Sequence, residues 1–322
     1  MKNGASGTCH FPCGVYISPW YGKRRHEGRE KVGILKMEFS KLVLGTVQFG
    51  LKYGIANKGG QVPFDEVKRI LATALDHGVT TLDTAAAYGE SESVLGRALA
   101  ELGIRPKMKI VSKVRPVPAD ADPEKFIRDS VVNSLRNLGV ETLPLVLLHH
   151  EEDAVHLGIM HELVREGIIE NCGISIDSMA YPRCIEGEAA VQHPCNVLDH
   201  RFDGLIRKRA AAGKQSFFRS AYLQGLLLMP EENIPATLAE VIPWRRKLAG
   251  FGLPLKELCL RYLLSIPGKC GILFGVDALS QLEENLALAA RGPLDDALYR
   301  EVAAAVPLLP ETLIRPCRWV KK

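Results

Sequence analysis

From Lys41 onward, short apolar runs of strand length alternate with longer segments whose apolar residues recur at helical spacing. The strand candidates are residues 42–44, 80–84, 109–114, 143–149, 171–175, 189–195, 216–220 and 270–274. They are continuous apolar runs rather than alternating ones, as expected of parallel strands covered on both faces. Val67, Ile70, Leu71, Ala74 and Leu75 form one helical stripe, closed near His77-Gly78. Asp122-Pro123 supplies an N-cap and a first-turn proline for a helix through Ile127, Val131, Leu135 and Leu138, which Gly139 stops. Leu255, Leu258, Cys259, Tyr262 and Leu263 form a further stripe before Pro267-Gly268. Ser280 and Glu283 read as a capping box that opens a helix through Leu282 and Leu286.

Eight strand–helix alternations in about 250 residues predict the α/β class and, within it, a single (β/α)8 TIM barrel. Residues 294–322 would add a C-terminal extra helix and tail. A doubly wound sheet with a second domain is the alternative. No linker-like shift in composition interrupts residues 41–291, and no G-x-G-x-x-G follows a strand, so the barrel is the better reading. The βα loops look short, notably around residues 226–234 and after residue 294, which predicts an open pocket.

Composition adds limits. The 322 residues are 47% apolar and 24% charged, which excludes wholesale disorder, a collagen-like chain and a coiled coil. No window approaches the ~18 uninterrupted apolar residues of a membrane span. The formal charge of +4 is misleading, because residues 1–36 hold seven basic and two acidic residues and leave 34 basic against 35 acidic in the other 286. The pI of 8.6 therefore belongs to the tail and is no nucleic-acid footprint. Residues 1–36 lack helical or strand periodicity and the apolar core of a secretory signal, so they are expected to be a disordered basic extension, with Met37 opening the functional barrel of residues 37–322. Eight scattered cysteines fit reduced thiols in a cytoplasmic protein. Cys9 and Cys13 flank His10 without a second ligand pair, so no metal site is expected.

In such a barrel, chemistry sits where strands end at the C-terminal face. Strand two ends in Leu82-Asp83-Thr84 and leads to Tyr88, strand three ends in Ser112-Lys113, and strand four ends in Leu148-His149-His150. The four groups make coherent chemistry. A phenol with a pKa near 10 shuttles protons poorly at neutral pH. An ammonium beside it favours the phenolate, a carboxylate fixes that ammonium, and an imidazole orients a carbonyl oxygen. Side-chain alternation turns His150 away from His149, so His150 either lines the pocket or, the better reading, packs behind the site.

The run LDTAAAYGESESVLGRAL (82–99) resembles the strand-two block of the aldo-keto reductase family almost letter for letter. LGTVQFG (44–50) precedes it, and IVSKV, LLHH, CGIS, VQHPCN, RSAYLQG and QLEEN follow in order, so the resemblance spans residues 41–291. It implies a catalytic tetrad of Asp83, Tyr88, Lys113 and His149, with Tyr88 as general acid in reduction, Lys113 tuning it, Asp83 holding Lys113 and His149 polarising the substrate carbonyl. It also implies NADP(H) or NAD(H) as cofactor. Gly45 and Thr46 would lie near the nicotinamide riboside, Ser175 and Gln192 on the carboxamide, Arg219 stacked on the ring, and Ser220 and Gln224 along the pyrophosphate. Gly275 and the helix opened by Ser280 would offer N–H groups to phosphate, while Gln281, Glu284 and Asn285 match adenosine-end positions.

Some positions depart from the family pattern. Ile176 replaces an Asn that often follows the Ser of strand five, and Pro144 replaces an acidic residue common before strand four. Gly275, Val276 and Gln281 stand where many NADP-preferring members carry cations, which leaves the choice of dinucleotide open, and Arg207, Lys208 and Arg209 read as a solvated helix face. The expected partner is a small-molecule carbonyl substrate, with no nucleic acid and no membrane. The GTVQFGLKYGIAN opening resembles members associated with sugar and cell-surface polysaccharide metabolism, which implies a sugar-like carbonyl. A non-catalytic NAD(P)H-binding sensor on the same barrel is the alternative, against which the intact tetrad argues.

Overall fold

Eight parallel strands pair in sequence order and close on themselves, β1 against β8. They are β1 Leu42–Gly45, β2 Thr81–Asp83, β3 Lys109–Val114, β4 Leu145–Leu148, β5 Cys172–Ser175, β6 Ala190–Pro194, β7 Gln215–Arg219 and β8 Cys270–Gly275. The computed structural model describes residues 38–57, 59–181 and 183–319. The extension expected over residues 1–36, with Cys9, His10 and Cys13, lies outside the described residues.

All eight expected strands form, with most ends moved by one residue or more. β4 begins at Leu145 because Pro144 has no N–H to give the ladder, and Leu143 makes only an isolated bridge to Ile169. Val43, Val111, Leu145, Leu147, Ala190, Phe217 and Leu273 fill the barrel interior. Phe39 packs against this cluster, its ring edge-on to Phe217 at 5.2 Å.

The apolar stripes become the faces buried against the strands. Helix α1 is a single turn, Val47–Gly50, and α2 spans Phe64–Asp76 with Val67, Ile70, Leu71 and Ala74 buried. Helix α3, Ser91–Glu101, packs on α4, Pro123–Leu138. Asp122 caps α4 through the Lys125 N–H at 3.1 Å, and Gly139 ends it in the left-handed region. Helices α5 Leu157–Arg165 and α6 Asp203–Ala211 follow β4 and β6, whereas β5 and β6 are joined by a 3-10 turn, Arg183–Gly187, in place of an α-helix. Helices α7 Ile242–Ala249 and α8 Leu255–Ser265 precede β8. After β8 come α9 Leu279–Ala289, α10 Asp296–Ala305 and the helical turn α11 Glu311–Ile314. Val302, Val306, Leu309, Leu313 and Ile314 join the apolar cluster of Leu258, Leu260 and Leu263, which docks the C-terminal segment.

Three expectations fail here. The loop after β7 is long, because residues 220–241 separate β7 from α7. The capping box at Ser280 does not form: α9 starts at Leu279 with Ala278 as its cap, and the Leu279 N–H is taken by Glu66 Oε1 at 2.7 Å, a donor–acceptor pair the local sequence does not reveal. Arg209 is fully buried rather than solvated. Its guanidinium binds the carbonyls of Glu186, Glu188 and Gln215 and the Ser216 hydroxyl, which offset its desolvation.

Candidate active site

The barrel register sets the site. Gly45, Asp83 and Gly275 lie side by side at the ends of β1, β2 and β8. Lys113 Nζ meets Asp83 Oδ1 at 2.6 Å with both side chains almost fully buried. Two buried charges stay together only if their remaining valences are also met. Here each has a further partner: Nζ donates to the Thr84 carbonyl at 2.8 Å, and Gln192 Nε2 donates to Asp83 Oδ2 at 2.8 Å. Burial pulls the Lys113 ammonium down in pKa and Asp83 pulls it back up.

Tyr88 stands over this pair. Lys113 Nζ lies 5.0 Å from its ring centroid, and the His149 ring meets it edge-on at 5.7 Å. Burial, reinforced by the Asp83 charge and opposed by Arg219, raises the Tyr88 hydroxyl above the ordinary phenol value. The phenol is therefore held protonated, as a proton donor must be. Burial, helped by Lys113, pushes His149 down to about 3, so the imidazole is neutral, and its buried Nδ1 has no hydrogen-bond partner. His150 is not packed behind the site. Its side chain is 55% exposed, 3.8 Å from Glu152, because β4 has ended at Leu148 and strand alternation no longer applies.

The other expected positions fall around the same mouth with different partners. Thr46 is buried, and its hydroxyl bonds Ser91 Oγ at 2.9 Å and the Asp83 carbonyl at 3.0 Å. Ser175 ends β5 beside Gln192 of β6, whose amide nitrogen is given to Asp83. Ile176 is buried and offers its carbonyl to Arg219 at 3.0 Å. Arg219 Nη2 also meets Asp177 Oδ1 at 2.6 Å, so the guanidinium is anchored on both sides. Burial pushes the Asp177 carboxyl up, but Arg219 and then Arg315 outweigh it and hold the group well below the usual carboxylate range. Arg315 reaches Asp177 Oδ2 at 2.7 Å and Glu311 at 2.8 Å, fastening the C-terminal segment to the mouth.

Ser220, Leu223 and Gln224 have positive φ, the only non-glycine residues to do so among those described. Such conformations cost of order 1–3 kcal/mol each and cluster at functional turns. Gln224 Nε2 donates to Tyr53 Oη at 3.0 Å, which brings the β1 loop to the β7 loop. Asn285 accepts from Tyr222 Oη, Gln281 from the Asp277 N–H, and Glu284 pairs with Lys256. Sequence reasoning missed Asp177, Gln48, Tyr53 and Glu66, because their partners lie far along the chain.

A nicotinamide dinucleotide fits the residues present at the β1–β8 edge. Gly45 and Gly275 end adjacent strands and leave bare backbone there, and a Cβ on Gly275 would strike the Gln48 side chain. Gln48 Oε1 is buried without a partner at the same edge, an acceptor available to a ligand donor.

The aldo/keto reductase family profile matches residues 41–307. An uncharacterized oxidoreductase of Mycobacterium tuberculosis is 30% identical over 287 residues, which cover 78% of this chain and 85% of that one. An aldo-keto reductase of Strobilurus tenacellus is 32% identical over 145 residues, 41% of this chain and 43% of that protein, so the match spans less than half of that relative. Among solved structures, the holo form of an aldo-keto reductase from Bacillus halodurans superposes with a TM-score of 0.70 at 22% identity, covering 88% of this chain and 96% of that one.

Proposed function

The chain belongs to the aldo/keto reductase family, and from that premise we propose that it is an NAD(P)H-dependent reductase of an aldehyde or ketone with Tyr88 as general acid. The observation that carries this reading is the buried Lys113–Asp83 pair beneath a protonated Tyr88 and a neutral His149. A bound nicotinamide dinucleotide supplies the hydride that the carbonyl carbon accepts. Tyr88 gives its proton to the carbonyl oxygen, and the phenolate left behind is stabilised by the Lys113 ammonium. Asp83, held by Gln192, keeps that ammonium charged and in place. Neutral His149 donates to the carbonyl oxygen and sets its direction toward the phenol.

Gly45, Thr46, Ser175 and Gln192 would hold the nicotinamide end, with Arg219 stacked on the ring and Ser220 and Gln224 along the pyrophosphate. Gly275, Gln281, Glu284 and Asn285 would hold the adenosine end. Arg219 is braced by Asp177, which supports a fixed, planar cation for an anionic or π-faced ligand. A sugar-like carbonyl is the substrate this reading favours. The resemblance of the GTVQFGLKYGIAN opening to members associated with sugar metabolism supports it.

Purified protein titrated with NADH and NADPH, then offered aldehydes and sugar carbonyls, tests the proposal. Turnover at the nicotinamide absorbance that vanishes in Tyr88→Phe, with dinucleotide binding retained, is the expected result. Tight binding without turnover of any carbonyl would favour the sensor instead.

A further inference from the structure

Away from the mouth, three side chains of different ligand type meet on the outer wall of the barrel. His161 lies in the middle of α5, Cys172 is the first residue of β5, and Glu188 stands two residues before β6. His161 Nε2 is 3.0 Å from a Glu188 carboxylate oxygen, and one ligand atom from each of the three residues lies within 4.8 Å of the other two. Cys172 packs in the apolar cluster with Met160 and Leu163 of α5, whereas the His161 side chain is 50% exposed. The cluster thus has a buried sulfur at its floor and an imidazole at its entrance. Arg209 binds the Glu188 main-chain carbonyl, which leaves the carboxylate to His161. Because Cys172 opens its strand, the cluster belongs to the N-terminal end of the barrel, opposite the tetrad. It also lies at the β5–β6 connection, where a 3-10 turn stands in place of an α-helix.

We propose that His161, Cys172 and Glu188 form a zinc site that ties α5 to β5 and to the turn entering β6. Thiolate, imidazole and carboxylate are each zinc ligands, and a water completes the tetrahedron on the solvent side. The sulfur and nitrogen donors disfavour magnesium and calcium, which take oxygen. Thiolate and carboxylate together carry two negative charges, which match a divalent ion. Zinc bonds of about 2.0–2.3 Å place tetrahedral ligand atoms roughly 3.3–3.8 Å apart, so the cluster closes by about an ångström through rotation of the half-exposed His161. Burial pushes the Cys172 thiol up to about 12, so zinc binds by displacing the thiol proton to solvent. The ligands are 11 and 16 residues apart, unlike the short paired runs of zinc motifs, and only the packing of α5 on β5 brings them together.

Full-length protein stripped with a chelator and titrated with cobalt(II), a coloured stand-in for zinc, tests this. One equivalent is expected to give a thiolate-to-cobalt charge-transfer band and tetrahedral ligand-field absorption, and zinc should abolish both. Cys172→Ser removes the charge-transfer band. His161→Gln changes a half-exposed side chain, so it leaves the melting temperature of the stripped protein unchanged and weakens cobalt binding about tenfold or more. Saturating zinc raises the melting temperature of the wild type by about 3 °C or more and leaves that of His161→Gln where it was. A charge-transfer band that persists in both variants, as from the Cys9 and Cys13 pair, overturns the proposal. So does a wild-type melting temperature that zinc does not move.

Discussion

Lys113 is a cation held inside the barrel by one carboxylate. Its ammonium is fully buried, and Asp83 is its one acidic hydrogen-bond partner. Asp83→Asn leaves that charge uncompensated and is expected to destabilise the fold by about 3 kcal/mol, read from urea unfolding. The titration behaviour of the site gives a second test. His149 sits near 3 and Tyr88 above its ordinary value, so neither group changes charge between about pH 5 and 9. The reduction rate should be flat across that range, and an acidic limb near pH 6.5 would show that His149 titrates normally and the assignment is wrong. At this scale the four residues proposed as the tetrad stand out in the sequence because each lies at or beyond a strand's end. Gln192, expected at the nicotinamide carboxamide, also donates to Asp83 across the barrel, a pairing 109 residues apart that no local pattern encodes.

The helices show which local signals act alone. Asp122 caps α4 as its position before Pro123 predicts, and Asp122→Ala should cost about 1 kcal/mol in thermal or urea unfolding. Gly96 is different. It lies inside α3, where glycine is intrinsically unfavourable, and a Cβ there would run into the Asn137 carbonyl and Leu138 backbone of α4. Gly96→Ala should therefore destabilise by about 1–3 kcal/mol despite improving helix propensity, and a stabilised variant would show that α3 and α4 can separate without cost. The α9 start went the other way. Its apparent capping box lost to Glu66, because a carboxylate delivered from α2 satisfies the first N–H without any local side chain.

For the molecule as a whole, acid should be destabilising. His149 and His193 are both pushed down to about 3 by burial, whereas an unfolded histidine titrates near 6.5. Between those values the unfolded chain binds more protons than the folded one, so stability rises with pH. The buried histidines' contribution is complete above about pH 6.5 and is lost progressively toward pH 3. Asp177, whose folded pKa is depressed, contributes stability present above its unfolded value near 3.9 and lost below it. The melting temperature is expected to fall between pH 7.5 and pH 5, and to fall less in His193→Phe.

The sequence by itself determined the barrel and the four residues proposed for its chemistry. Periodicity is local, and in a (β/α)8 chain every strand's neighbour is supplied by the next strand in order, so the local pattern already implies the topology. Trimmed ends such as that of β4 also had a local cause in Pro144. Only the tertiary structure decided which polar groups spend their hydrogen bonds on one another. Gln192 on Asp83, Asp177 on Arg219 and Arg315, Glu66 on α9 and Arg209 on the carbonyls beneath the barrel all join positions that only the closed barrel brings together. A buried polar group must find a partner wherever the fold places one, and sequence separation carries no information about that place.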